Sequence, residues 1–340
     1  MKVFIAGATG VLGHRLVDSL ADRGHEVHGL ARDAEGEQIV ERYGGIARRG
    51  DVLEPESLDR VIDDDVDVLI HAATAIPDST KPSDEEWVRN DRVRLDGMTN
   101  LLAAAPETLQ QVLFPSVVWV VRQPDGSEFD ETAAYNPDRA TESAAEVEDL
   151  LRERATQATF DAVILRCGFF YASDARDTRE WGKDLLDGDL PIVGGGLLGR
   201  QDGTMSFVHI DDAATAFVAA VEQGASGVYH VVDDRPVAPA AFFETFADLL
   251  DAPEPGRVPG WLARFFVGKI AADLLTSEWR TTNEKARQEL DWEPTHPTVA
   301  EGLQQIVETW QSEGQLVETD TGIEWSGDDV RQADTPGSTA

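Results

Sequence analysis

Two residues into the chain an apolar run, Val3 to Ala6, ends on Gly7-Ala8-Thr9-Gly10-Val11-Leu12-Gly13, and a helix-like amphipathic stretch, Val11 to Asp22, follows it. A strand, a glycine triplet and a helix in that order restrict the local fold severely. Gly7 permits the tight turn, Gly10 lets backbone approach a pyrophosphate, and Gly13 allows the helix to pack close to the strand. The N-H groups and dipole of the helix N-terminus then face the anion. Gly7, Thr9, Gly10, Val11, Leu12 and Gly13 are therefore expected to form the phosphate-binding turn of a dinucleotide site.

The rest of the first half keeps the same rhythm. Short apolar runs at Val27 to Ala31, Val66 to His71 and Val112 to Val121 alternate with amphipathic stretches, the signature of strands joined by crossover helices. A further strand spans Ala162 to Leu165. After it come Pro- and Gly-rich turns over Leu190 to Gly203, a strand-like Met205 to Val208, a helical Asp212 to Gln223, and Gly227 to Val232. Pro239 to Leu250 is helix-like, Arg287 to Leu290 precedes a Trp292-Glu293-Pro294 turn, and Val299 to Trp310 is amphipathic. The fold class expected is α/β, a Rossmann-like doubly wound parallel sheet with a smaller interleaved C-terminal substrate lobe. Residues 1–165 form the dinucleotide-binding domain, residues 166–311 the substrate-binding lobe, and residues 312–340 an acidic, partly disordered tail.

Charge narrows the partners. Among 340 residues, 64 acidic side chains stand against 29 basic ones, a net charge of -35, which repels nucleic acid and anionic lipid surfaces. The only lysines are Lys2, Lys81, Lys183, Lys269 and Lys285, and the carboxylates are spread along the whole chain, a surface suited to a halophile's salt-loaded cytoplasm. Cys167 is the only cysteine, so no intrachain disulfide and no cysteine-based zinc cage can form. No apolar stretch reaches the roughly 18 residues of a membrane span, and the opening apolar run is too short for a signal peptide. The expectation is a cytoplasmic protein with a small-molecule substrate, without metal, as a monomer or homodimer.

Beyond the glycine turn, the second strand ends in Arg32-Asp33, where the adenine ribose of a dinucleotide lies. An acidic residue there bonds the 2'-OH of NAD, whereas an arginine pairs with the 2'-phosphate of NADP. Arg32 comes first, which favours NADP(H) over NAD(H); in the competing reading Arg32 is solvated and Asp33 contacts the ribose. Asp51 and Val52, after the third short strand, are placed to grip adenine. Ala72, Ala73 and Thr74 end the fourth strand with small residues that leave room for the cofactor.

These motifs in this order resemble the extended or atypical short-chain dehydrogenases/reductases, in the NAD-dependent epimerase/dehydratase group, over roughly residues 1 to 310. Leu165-Arg166-Cys167-Gly168-Phe169-Phe170-Tyr171 is similar to the family's LRxxxxYGP stretch, Phe207-Val208-His209-Ile210-Asp211-Asp212 to its FVHVDD stretch, and Asn283 to Trp292 to its NxKAxxELGW stretch. The resemblance implies that Gly168 and Phe169 line the nicotinamide end of the pocket. It also implies a serine or threonine at the end of the fifth strand and Tyr-x-x-x-Lys on the next helix, the tyrosine acting as general acid/base. In register with Ala145-Glu146, however, the tyrosine falls on Asp138 and the lysine on Glu142.

Substitutes for that pair are few. Ser116 is the only hydroxyl residue in the fifth strand, although the register can instead place Val117 there. Tyr135, read as Tyr-x-x-x-Arg with Arg139, stands before a helix that Asn136 and Pro137 would cap. Tyr171 lies at a family-like position, with core packing as its competing reading. His209 reads as a joint between a strand and an N-capped helix, His14 as solvent-facing, and Arg176, Arg179, Arg200 and Arg280 as candidates for an anionic substrate. The family's dimer helix carries Glu142, Glu146, Glu148 and Asp149 here, which disfavours self-association. Two functions follow: an NAD(P)-dependent oxidoreductase or epimerase-like enzyme moving hydride at a carbonyl or carbinol carbon of a small substrate, sugar-type included, with a degenerate Tyr-x-x-x-Lys site; or a non-catalytic NAD(P)H-binding sensor or assembly protein.

Overall fold

Apolar side chains on both faces of the first strand force a three-layer arrangement. Val3 and Ile5 point into one buried layer and Phe4 and Ala6 into another, the pattern of a parallel strand covered on both sides. The computed structural model describes residues 1–77, 82–193, 203–258, 278–319 and 322–326.

Its first half runs β1 (Lys2–Ala6), α1 (Val11–Asp22), β2 (Glu26–Ala31), α2 (Ala34–Arg42), β3 (Ile46–Arg49), α3 (Pro55–Leu58), β4 (Val68–His71), α4 (Asp84–Ala104), β5 (Gln111–Val117), α5 (Glu142–Ala155) and β6 (Asp161–Cys167). The second half adds β7 (Phe169–Tyr171), α6 (Arg176–Leu186), β8 (Ile192–Val193), β9 (Phe207–His209), α7 (Ile210–Glu222), β10 (Gly227–Val231), α8 (Pro239–Leu249) and β11 (Arg257–Val258). It ends with α9 (Glu284–Leu290), α10 (Val299–Ser312), β12 (Leu316–Thr319) and β13 (Gly322–Trp325).

Seven strands pair in the order β3-β2-β1-β4-β5-β6-β10, every pair parallel. This is the Rossmann-like doubly wound sheet. Leu12, Leu16, Val17 and Leu20 of α1 and the alanine-rich face of α7 cover one side. Met98 and Leu101 of α4 with Ala144, Val147 and Leu151 of α5 cover the other. The order in which strands are added switches sides between β1 and β4, and the carboxyl edge at that point is where α/β sheets bind ligands. A third apolar cluster joins β7, β9, α6, α8 and α10 beyond that edge, with β7 and β9 paired in parallel.

Several local expectations shift. The apolar run Val112 to Val121 is not one strand: it leaves the sheet at Val117 and coils into a 3-10 turn over Val118–Val121. Helix α5 begins at Glu142 with Thr141 as its N-cap residue, because the Asp138 carboxylate takes the Ala140 and Thr141 N-H groups into a preceding turn. Tyr135 therefore sits in a loop several residues ahead of the helix. Downstream of α10, β12 and β13 form an antiparallel hairpin, whose Trp325 meets Trp310 edge-on. The final segment expected to be disordered lies outside the described residues.

Candidate active site

The turn between β1 and α1 is shaped by what its glycines exclude. Gly7 has φ +86°, and a Cβ there would lie within 2.7 Å of the Ala72 carbonyl oxygen; a Cβ at Gly13 would fall on the Gly7 carbonyl oxygen. The ends of β1 and β4 thus touch through backbone alone, which brings Gly7, Ala72 and Ala73 together. Gly10 is the N-cap residue of α1, which has no side-chain cap and no acidic residue in its first turn. Its leading N-H groups are left to an exogenous acceptor, and a pyrophosphate fits that cradle. Thr9 and Gly10 are exposed and Val11 half-buried beside it, while the Leu12 side chain packs into the core, so Leu12 can reach a ligand only through backbone.

At the end of β2, Asp33 is committed to α2: its Oδ1 accepts the Gly36 N-H at 2.8 Å. Arg32 is exposed beside it. Asp51 Oδ1 accepts the Leu53 N-H at 2.9 Å, and buried Val52 accepts from Asn100 Nδ2 through its carbonyl at 2.8 Å, so both belong to the loop closing this side. Under Ala72 to Thr74, His71 is buried and its Nε2 donates to the Val93 and Arg94 carbonyls at 3.0 and 3.1 Å. Burial lowers its pKa to about 4, so it is neutral and anchors β4 to α4.

The inner face of α5 carries a charged network centred on Glu148. Glu142 and Glu146 lie exposed on α5, while Ala144 and Glu148 face inward. Glu148, expected on an acidic surface, is instead fully buried, with Arg166 Nη2 of β6 at 2.7 Å from Oε2. The same carboxylate accepts Ser116 Oγ at 2.5 Å and the Tyr135 hydroxyl at 2.8 Å. Tyr135 also receives Arg152 and stacks under the Arg152 and Arg166 guanidinium groups. Burial first, then the Glu148 charge, pushes its hydroxyl well above the ordinary tyrosine value. Ser116 and Tyr135 are thus brought together on one carboxylate.

Sequence reasoning missed Arg94. Its guanidinium is buried against the first turn of α5, donating to the Ala140 carbonyl at 3.1 Å and Ser143 Oγ at 3.4 Å, with no ion pair to it among the described residues. Burial lowers its pKa to about 10, so the charge persists at neutral pH. Only the inward spacing of Asn90, Arg94 and Gly97 on α4 hints at it in the sequence.

On the substrate side, a Cβ at Gly168 would meet the Ser206 carbonyl oxygen at 2.7 Å, and half-buried Phe169 begins β7 next to it. Tyr171 is closed off from ligand: it is wholly buried and donates to Asp233 Oδ2 at 3.1 Å. Asp233 is itself buried, which raises its pKa to about 7. His209 accepts the Asp211 N-H and caps α7. Asp212 accepts the Thr295 and His296 N-H groups and His296 Nδ1 at 2.7, 2.9 and 3.0 Å. Expected to face solvent, His14 instead keeps 13% side-chain exposure and contacts Asp174 at 3.3 Å, because Arg15 gathers Asp174 against α1. The arginines expected to take an anionic substrate are engaged: Arg176 with Glu180, Arg280 with Glu128 and Glu278, Arg179 over the Trp325 ring. Arg200 lies outside the described residues.

A family model described as NAD dependent epimerase/dehydratase family matches residues 3–232. The chain belongs to that family. A Streptomyces protein named 3-diazoavenalumate denitrifying reductase is 33% identical over 313 residues, covering 89% of this chain and 99% of that one. A Stigmatella aurantiaca protein named 4-hydroxy-2-methyl-3-oxo-4-farnesyl-3,4-dihydroquinoline-1-oxide ketoreductase is 27% identical, covering 84% of this chain and 83% of that one. Among solved structures, a human epimerase family protein with NADPH superposes with a TM-score of 0.74 at 19% identity over 91% of this chain and 99% of the other. The Thermus thermophilus UDP-glucose 4-epimerase with NAD gives 0.74 at 22% identity over 92% and 99%. The family member described here is thus an oxidoreductase or epimerase-like enzyme of the nicotinamide-dependent kind. Among the described residues, no helix is long and apolar enough to cross a membrane.

Proposed function

We propose that this enzyme is an NADPH-dependent reductase that delivers hydride to a polarised group of a small substrate without a tyrosine acid. The uncapped α1 N-terminus behind Gly7, Gly10 and Gly13 carries the reading, because it leaves N-H groups and dipole directed at a phosphate. A bound nicotinamide would supply the hydride. Arg32 favours the 2'-phosphate, since Asp33 is occupied as the α2 cap and a guanidinium matches phosphate geometry. Arg94 supplies the fixed positive charge at the α5 end that a lysine provides elsewhere in the family. Tyr135 is tied to Glu148 and Arg152, and Tyr171 is sealed against Asp233. The proton that accompanies hydride to a carbonyl therefore comes from water. Reductase-named relatives from Streptomyces and Stigmatella support reduction as the direction.

The test is nicotinamide fluorescence on titrating NADPH and NADH separately into protein in about 2 M KCl, where charge repulsion is screened. NADPH is expected to bind at least about tenfold more tightly, a difference of about 1.4 kcal/mol, and Arg32→Ala to erase the preference. Equal binding of both removes the NADP assignment, and binding of neither removes the reductase reading.

A further inference from the structure

At the carboxyl edge of the sheet, beyond β5 and β6, two and three strands from the glycine cradle of β1, four aromatic rings stand in near-parallel series. Trp119 lies in the 3-10 turn just after β5, Phe169 just after β6, Trp181 on α6, and Trp279 in the segment that bridges to Met205. Trp279 and Trp119 have centroids 5.1 Å apart at 26°, Trp119 and Phe169 6.3 Å at 28°, and Phe169 and Trp181 5.9 Å at 29°. Aromatic pairs at these separations form offset stacks whose faces attract a further flat ring. Trp119, Phe169 and Trp181 are each only half-buried, whereas Trp279 behind them is fully buried with an indole N-H that has no partner. Trp119, Phe169 and Trp181 pack against the third apolar cluster, and the part of each ring left open lies at a ligand-binding edge, where a flat ligand can meet it.

Charge bears on the choice as well. A sugar linked to a diphosphate needs cations, and of the three described arginines read as candidates for an anion, Arg176 and Arg280 are held by Glu180, Glu128 and Glu278 and Arg179 lies over Trp325. We propose that the substrate's reducible group is carried on a flat aromatic ring system that stacks on the Trp119, Phe169 and Trp181 face, and not on a diphosphate-linked sugar. This rests on the reductase reading, since it names what that site reduces.

The experiment uses three probes on the full chain in about 2 M KCl: 2-naphthaldehyde, its saturated counterpart decahydronaphthalene-2-carbaldehyde, and UDP-glucose. NADPH binding is measured first, in the same samples. Reduction of the aldehyde consumes one hydride and one water-derived proton and yields the primary alcohol and NADP⁺, read as loss of NADPH absorbance. The expected result is that 2-naphthaldehyde quenches tryptophan fluorescence and has a kcat/KM at least about tenfold above the saturated aldehyde, while UDP-glucose neither binds nor competes. Trp119→Ala lowers kcat/KM for 2-naphthaldehyde toward the saturated value, chiefly through KM, and Trp119→Phe restores part of it. Trp181→Leu, on a separate helix, gives a smaller loss in the same direction, and unchanged NADPH affinity certifies folding of each variant. NADPH binding with no preference for the aromatic aldehyde, or with competition by UDP-glucose, overturns the substrate assignment alone. Failure to bind NADPH overturns the reductase reading and the assignment with it.

Discussion

Arg166 and Arg94 are both more than nine-tenths buried, yet only Arg166 has a carboxylate against it, Glu148 at 2.7 Å. Removing one partner of a buried pair strands the other charge and costs about 3–5 kcal/mol, whereas replacing both with apolar groups is often neutral. Glu148→Leu is therefore expected to destabilise by about that amount, and adding Arg166→Met to recover most of it. Arg94→Met strands no charge, because its contacts are a carbonyl and a hydroxyl. It should change stability by no more than about 1–2 kcal/mol while raising the NADPH dissociation constant about tenfold. Urea unfolding and NADPH titration of the same proteins separate the two roles. If Arg94→Met proves as destabilising as Glu148→Leu and leaves NADPH affinity alone, Arg94 is a packing residue.

Between elements, the junction of β9 with α7 is clasped to the segment before α10 through Asp212, and a buried acid, Asp233, sits beside it after β10. Burial, then the nearby Asp212 charge, raises Asp233 to about 7 against the Tyr171 hydrogen bond that lowers it. A folded value above the unfolded one of about 3.9 means that its contribution is fully present below about pH 4 and is lost as pH rises through 7. His209, lowered to about 4 by burial, works oppositely: its contribution is present above about pH 6.5 and is lost as pH falls through 4. Asp233→Asn removes the first of these. The variant should gain on the parent between about pH 5 and 8, by no more than about 4 kcal/mol, and show little gain near pH 4. A difference that does not vary with pH in urea unfolding would refute the assignment. The same junction shows what the sequence can carry. The strand, glycine turn and α1 were legible because each rests on neighbouring residues, and α7 came within two residues because Asp211 and Asp212 mark its first turn. Illegible were features made by distant partners. Glu148 reads as surface until Arg166 and Ser116 close on it, and Arg94 gains meaning only beside the α5 N-terminus. Val118 to Val121 have the composition of the strand they leave, and the β12–β13 hairpin lies in an acidic stretch with little apolar alternation.

Across the whole molecule the dominant physical fact is the net charge of -35. Even with every lysine and arginine paired, the excess carboxylates repel one another over the surface, and that repulsion loosens the folded state more than the expanded one. At about 0.1 M salt the Debye length is about 10 Å, long enough for neighbouring surface carboxylates to interact; at about 1 M it is about 3 Å, shorter than most of their separations. Folded stability should therefore climb by several kcal/mol with KCl. For a chain of this size that raises the thermal midpoint by roughly 10 °C or more between about 0.1 and 2 M. Part of any such rise comes from salt acting on apolar surface, so the slope needs a charge control. Glu35, Glu41, Glu56, Glu142 and Glu146 are all exposed, and converting the five to glutamine keeps their size while removing repulsion. The variant is expected to be more stable than the parent at low salt and to converge with it at high salt, giving a shallower slope. Parallel slopes for the two proteins would mean that apolar salting-out, and not screening of the acidic surface, governs how this molecule answers to salt.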